Sequence, residues 1–188
     1  MSNKKLELIY GCMFSGKTSK LIEFYNNLKD NNNCIAVNYI YDKRYSNEDT
    51  IVSHNKESIN CYCCEDLQDL INKIEYENIK YDYIFINEGQ FFKNLLKNIL
   101  YIRDNLKINI IICGLTLDYE RKQFGELMDL IPYSDKIHEC KGKCNKCENK
   151  SLYSHRLIVN KNEQVLIGSS DEYIPLCEEC WNKYNHKN

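Results

Sequence analysis

The residues best suited to chemistry stand near the start of the chain. Gly11-Cys12-Met13-Phe14-Ser15-Gly16-Lys17-Thr18 matches the pattern G-x-x-x-x-G-K-[ST]. In such a loop the backbone N–H groups turn inward around a phosphate at the first turn of a helix. The glycines permit that backbone path, Lys17 reaches the β- and γ-phosphates, and the Thr18 hydroxyl ligates Mg²⁺. The chemistry implied is the handling of a nucleoside triphosphate. A glycine turn that merely joins two elements is the alternative, and the strand before and helix after the loop favour the phosphate reading.

Phe85-Ile86-Asn87-Glu88 closes a short apolar run, Tyr83 to Ile86. In nucleotide-binding sheets the ligand sits beyond the carboxyl ends of the parallel strands, so an acid at this point can face the phosphates. Glu88 is therefore the candidate general base, taking the proton of an acceptor hydroxyl. An aspartate is expected at position 87, where Asn87 stands; its carbonyl oxygen can accept a Mg²⁺-bound water but adds no negative charge.

Cys144-x-x-Cys147 and Cys177-x-x-Cys180 are separated by 29 residues. Two such knuckles brought together by a hairpin make a tetrahedral four-thiolate site with no open position for water, hence structural Zn²⁺. The alternative is four unligated core cysteines. Cys140 is the weaker candidate ligand because of its C-x-x-x-C spacing to Cys144, and His138 and His155 are left out of the site.

These groups need a frame. Leu6–Tyr10 reads as a buried strand, Thr18–Leu28 as a helix, Asp30–Asn33 as a turn and Cys34–Tyr41 as a second strand. Tyr45–Lys56 is polar and reads as a mobile loop, Ile59–Cys63 as a short strand and Glu65–Glu77 as an amphipathic helix. Tyr83–Ile86 and Ile108–Cys113 are continuous apolar runs, the pattern of strands covered on both faces, with a helix at Lys93–Leu106 between them. Strands alternating with helices predict a parallel α/β sheet. The composition changes near residue 138, where Cys and Lys become frequent. Arg156–Val159 and Gln164–Ile167 read as short strands around a hairpin at Asn160–Glu163. The expected division is 1–137 for the nucleotide-binding part and 138–188 for the metal-binding part.

The 188 residues are 43% hydrophobic and 28% charged, enough for a buried core. Net charge is −2, which gives no reason to expect a nucleic-acid or anionic-membrane surface. No apolar run suits a membrane span, and the N-terminal stretch lacks the longer apolar region of a signal peptide. An odd cysteine count, 11, argues against a disulfide framework. The default expectation is a soluble cytoplasmic protein.

The phosphate loop, Asp42-Lys43-Arg44-Tyr45, Asn87-Glu88-Gly89-Gln90-Phe91-Phe92, Arg121-Lys122-Gln123-Phe124-Gly125 and the paired cysteines occur in an order that resembles the type II thymidine kinases. The resemblance runs from about Leu6 to Trp181. The string from Glu88 to Phe92, the one from Arg121 to Gly125 and the C-terminal knuckles are its specific parts.

That resemblance implies transfer of the γ-phosphate of ATP to the 5′-hydroxyl of thymidine, giving dTMP. It implies a RecA-like core with a small zinc-ribbon-like domain carrying a lasso loop over the nucleoside. Glu88 falls on the family's catalytic base, beside Lys17. Thr18 and Asn87 fall on its Mg²⁺ environment, and Asp42, Arg44 and Gln90 on its nucleotide-binding segments. Phe91, Leu115 and Tyr119 match positions lining the thymine pocket; the family usually has Phe at the last. Ser154 falls near the base, and Gln164, Val165, Leu166, Ile167, Gly168 and Tyr173 on the lasso. A homotetramer and feedback inhibition by dTTP rest on the same resemblance, as does deoxyuridine as a poorer substrate.

The chain departs from the family at three places: Asn87, the segment Leu115-Thr116-Leu117-Asp118-Tyr119, and Ser169-Ser170 after Gly168. Two further readings compete with the kinase. One is a nucleotide-binding module without turnover, supported only by Asn87. The other is an ATPase using its zinc ribbon on nucleic acid, for which the lysines from Lys141 to Lys150 are offset by neighbouring glutamates.

Overall fold

Alternation of inward side chains along four short strands explains the architecture. In a computed structural model that describes residues 4–42, 49–53, 55–157, 164 and 171–185, the elements follow in order. They are β1 (Leu6–Gly11), α1 (Lys17–Leu28), β2 (Cys34–Tyr39), β3 (Thr50–Val52), β4 (Ser58–Asn60), β5 (Tyr62–Cys64), α2 (Leu67–Glu77), β6 (Tyr83–Ile86), α3 (Leu95–Asp104), β7 (Asn109–Gly114), β8 (Lys136–Cys140), β9 (Tyr153–Arg156), β10 (Tyr173–Leu176) and α4 (Glu178–Asn185). Six strands form one sheet in the order β5-β2-β6-β7-β1-β8, every pair parallel.

Successive residues of a strand face opposite sides of a sheet. Leu6, Leu8, Ile84, Ile86, Ile110 and Ile112 pack on one side with Leu70, Ile74, Ile99 and Ile102 of α2 and α3. Ile9, Phe85, Ile111 and Cys113 pack on the other with Leu21 and Ile22 of α1 and with Ile51 and Ile59. Both faces are therefore covered, which is why the central strands read as unbroken apolar runs. Helix α2 begins where Asp66 accepts the Gln68 N–H at 2.9 Å, and it ends at Asn78 in a left-handed conformation.

The differences from the sequence reading have simple causes. Within the stretch expected to be a loop, β3 pairs antiparallel with β4. Each of these strands turns a single hydrophobe inward, Ile51 and Ile59, so the pair reads as polar. The strand expected over Ile59–Cys63 is divided: the Cys61 N–H bonds the Asp49 carbonyl at 2.9 Å, and the chain passes there from the hairpin into the main sheet. Residue 137, the expected division, lies inside β8, whose pairing with β1 runs to Gly11 opposite Cys140. The partner of β9 is β10, with Pro175 opposite Ser154. Most of the expected hairpin and the strand after it, residues 158–163 and 165–167, lies outside the described residues. Among the described residues no helix is long and apolar enough to cross a membrane.

Candidate active site

The carboxyl ends of β1, β6 and β7 are neighbours in the sheet, so the segments that follow them meet at one edge. After β1 the chain turns through Phe14 and Gly16, both at positive φ, and enters α1 with no side chain capping its first turn. The first amides of a helix have no partner of their own, so this end is open to an anion. Lys17 is buried and donates from Nζ to the Cys12 carbonyl at 2.8 Å. One cleft is lined by Met13, Phe14, Gly16, Lys17, Thr18, Asp42, Asn87, Glu88 and Leu115. Residues expected for nucleotide, base and substrate thus meet in it. Gly11 and Cys12 lie behind the loop, where Cys12 Sγ is 3.2 Å from Ser151 Oγ. Arg44 lies outside the described residues.

The strand end at β6 holds the polar groups. Thr18 Oγ1 donates to Asn87 Oδ1 at 3.4 Å, and the Asn87 amide donates to Asn38 Oδ1 at 3.0 Å. The Cys113 thiol also donates to Asn87 Oδ1, at 3.1 Å. Burial, and after it the charge of Glu88, pushes the Cys113 thiol up to about 12, so it remains a neutral donor. Glu88 is buried with φ 54°, a left-handed backbone that turns its side chain into the cleft mouth. Gln90 Nε2 donates to Glu88 Oε2 at 2.5 Å, while Gln90 Oε1 accepts the Leu115 N–H at 2.9 Å.

Beside the carboxylate, Met13, Leu115, Phe124 and Tyr173 form a buried cluster with Phe14, Phe91 and Tyr119 against it. Phe91 stacks on Tyr39 with centroids 5.1 Å apart and meets Phe124 edge-on at 5.5 Å. The Arg156 guanidinium lies 3.8 Å from the Tyr119 ring centroid. It donates to Tyr173 Oη at 2.7 and 3.0 Å and to the Gln164 carbonyl at 3.1 Å. Gln164 Nε2 reaches Asp118 Oδ2 at 2.8 Å, and Ser154 Oγ accepts the Met13 N–H at 2.9 Å. Of the expected substrate residues, Val165, Leu166, Ile167 and Gly168 lie outside the described residues.

The four expected cysteine ligands do come together: the sulfurs of Cys144, Cys147, Cys177 and Cys180 all lie within 4.8 Å of one another. Four thiolates around Zn²⁺ at about 2.3 Å are spaced about 3.8 Å apart. The observed Cys147–Cys177 and Cys180–Cys147 separations are 3.6 and 3.8 Å. Burial works to raise the Cys144 thiol, but N–H groups of Cys177 and Lys146 overcome it and bring it down to about 6. Burial and the neighbouring sulfurs push Cys180 up to about 12. Such a set ionises fully only around a cation, so the donors fit a metal. Cys140 is in β8, outside this group, and His138 bonds Glu7 at 2.8 Å.

The family model described as thymidine kinase matches residues 4–181. The chain belongs to the thymidine kinase family. A thymidine kinase of Choristoneura fumiferana entomopoxvirus is 34% identical over 184 residues, covering 96% of this chain and 97% of that one. Thymidine kinase 1 of Dictyostelium discoideum is 33% identical, over 95% of this chain and 78% of its own. A thymidine kinase of Bacteroides thetaiotaomicron is 34% identical, over 94% and 86%.

Family membership does not by itself point to Arg156, Tyr39 or Phe124, which the sequence reading did not place in the site. Phe124 lies in the string Arg121 to Gly125, the local signal that marks it. Tyr39 and Arg156 have no local signal, since their contacts are made across the fold.

Proposed function

We propose that this protein is a thymidine kinase in the full sense, moving the γ-phosphate of ATP to the thymidine 5′-hydroxyl. One observation carries the proposal. Glu88 stands between the glycine loop with Lys17 and Thr18 and the apolar cluster of Phe91, Leu115, Tyr119 and Tyr173. The loop amides and Lys17 hold the triphosphate, and the aromatic cluster holds the thymine ring. Glu88 accepts the proton of the attacking hydroxyl. Phosphoryl transfer asks for alignment and neutralised charge more than covalent help, and this cleft offers both. Lys17, which bonds the Cys12 carbonyl, exchanges that partner for phosphate oxygens.

Thr18 Oγ1 and Asn87 Oδ1, with Asp42 on the same cleft, are the groups to hold Mg²⁺ and its waters. When bound, the ion neutralises charge on the β- and γ-phosphates. We read the six-stranded frame as RecA-like and the chain from Gln164 to Gly168, with Tyr173, as the lasso. Gln164 on Asp118 and Tyr173 on Arg156 mark its two ends. Closure there aligns the nucleoside and excludes water, limiting ATP hydrolysis. Zn²⁺ at the four cysteines is structural. A homotetramer and inhibition by dTTP belong to the same reading.

The test is phosphoryl transfer from ATP–Mg²⁺ to thymidine. Formation of dTMP by the wild type, abolished in Glu88→Gln, supports the activity and the base together. Nucleotide and zinc binding without dTMP overturns the activity.

A further inference from the structure

We propose that Arg121 is a positioning residue: it fastens the wall of the thymine pocket to the four-cysteine unit. The proposal rests on the thymidine-kinase reading above for what the pocket holds. The guanidinium of Arg121 sits in the notch between two inclined rings, 3.7 Å from the Trp181 ring centroid and 3.8 Å from that of Tyr153, the rings being tilted by 59° with centroids 6.1 Å apart. A cation in such a notch gains from both rings, and a planar guanidinium can stack on one while its edge meets the other. Its Nη2 also donates to Asn182 Oδ1 at 3.2 Å. Arg121 Nε and Trp181 Nε1 are buried with no hydrogen-bond partner among the described residues, so ring contact holds this end of the side chain.

Both rings are mounted on the metal unit. Trp181 follows Cys180 directly, and its backbone N–H donates to the Cys177 carbonyl at 2.9 Å. Tyr153 pairs across β9 and β10 with Leu176, the residue before Cys177. The two faces that grip Arg121 are thus placed by two of the four sulfur-bearing residues.

At its other end Arg121 belongs to a closed turn. Its backbone adopts φ 66°, and its N–H donates to the Asp118 carbonyl at 3.2 Å. Asp118 Oδ1 accepts the N–H groups of Glu120 and Lys122 at 2.8 and 2.9 Å, and the Asp118 N–H bonds the Lys122 carbonyl at 2.9 Å. A turn tied this tightly moves as a body. Tyr119 and Phe124, which face the pocket, are carried with it. Beside the contacts of Arg156 with Tyr119 and of Gln164 with Asp118, Arg121 therefore ties the pocket wall to the four-cysteine unit itself.

The chain has one tryptophan, so indole emission reports the surroundings of Trp181, the Arg121 contact and the cysteine cluster among them. The experiment compares zinc-loaded wild type with Arg121→Met and Arg121→Lys, following Trp181 emission, metal content, amide exchange over residues 116–124, and the KM and kcat for thymidine. In Arg121→Met we expect zinc to stay bound, the emission to change and exchange of 116–124 to quicken. KM for thymidine should rise about tenfold with kcat changed less than about threefold. Arg121→Lys should recover little, because a strongly hydrated ammonium has no flat face to lay on a ring. Trp181→Phe, which keeps a ring, should show a smaller KM effect than Trp181→Leu and guards against a misfolded Arg121 variant. Unchanged exchange of 116–124, or an unchanged KM, in zinc-bound Arg121→Met overturns the proposal. A wild type that makes no dTMP overturns the activity reading instead, and the exchange measurement then decides the brace by itself.

Discussion

The Gln90 amide donates to the Glu88 carboxylate at 2.5 Å, and the same side chain is anchored through its oxygen to the Leu115 N–H. Gln90 thereby fixes the carboxylate against the end of β7. A carboxylate held in one rotamer loses little to disorder when a hydroxyl comes within its reach.

Glu88→Gln should lower kcat by about 10²- to 10⁴-fold, the range for loss of a positioned base, with ATP affinity little changed. Steady-state kinetics beside calorimetric nucleotide binding would check it. A variant with more than about a tenth of wild-type kcat would remove the base assignment.

Gly114→Ala tests the anchor without touching a polar group. A Cβ at residue 114 would stand 2.3 Å from Gln90 Oε1. Gln90 must then leave its place, and the loss of one charge-assisted hydrogen bond corresponds to roughly 10- to 100-fold in kcat. Gln90→Ala should fall in the same range, and the double variant should add little to either.

Asn87→Asp should lower the Mg²⁺ concentration needed for half-maximal rate by severalfold, about what one added carboxylate near a divalent ion provides. The Cys113 thiol and Thr18 hydroxyl donate to the oxygen at 87 and can go on doing so. Asn38, which accepts from the Asn87 amide, must turn its own amide to donate. A Mg²⁺ titration of the rate shows whether that turn costs more than the charge gains.

Cys177→Ser should empty the metal site and unfold the part around it. Leu176 and Ile174 pack with the cysteines and Trp181 in a small cluster of their own among the described residues. Metal analysis and limited proteolysis would show loss of zinc and cleavage after residue 140, while the six-stranded sheet persists. Retained metal with unchanged proteolysis would count against the four-cysteine site.

Tyr119→Phe keeps a ring for Arg156 to lie on and should leave the thymidine KM within about twofold. Tyr119→Leu removes the ring; a cation–π contact of about 0.5–2 kcal/mol corresponds to a KM rise of about 2- to 30-fold. Equal effects from both would place the contribution in the hydroxyl instead.

Legibility in the sequence followed how local each constraint is. The strands at Leu6, Tyr83 and Asn109 announce themselves because both of their faces are buried, leaving no polar position to break the run. The loop at Gly11–Thr18 and the cysteine pairs are spacings within a few residues, fixed by the geometry of one phosphate or one metal. The β3–β4 pair has one inward hydrophobe per strand and leaves almost no trace. The strand Tyr173–Leu176 is masked by Pro175, a residue that suits only the outer side of a short two-stranded sheet. The arginines at 121 and 156 act across 8 to 61 residues of chain, on Gln164, Tyr173 and Asn182 among others, and nothing beside them in the sequence marks their rings.

The Ser154 hydroxyl that receives the Met13 N–H, and Ser151 against Cys12, place the back wall of the nucleotide loop in the last quarter of the chain. The loop is encoded at one end and buttressed from the other. Chimeras spliced near residue 137 would join a loop from one parent to a buttress from another, and should survive only where both serines are matched. For exchange among relatives, the inheritable unit is therefore the whole stretch from β1 to α4.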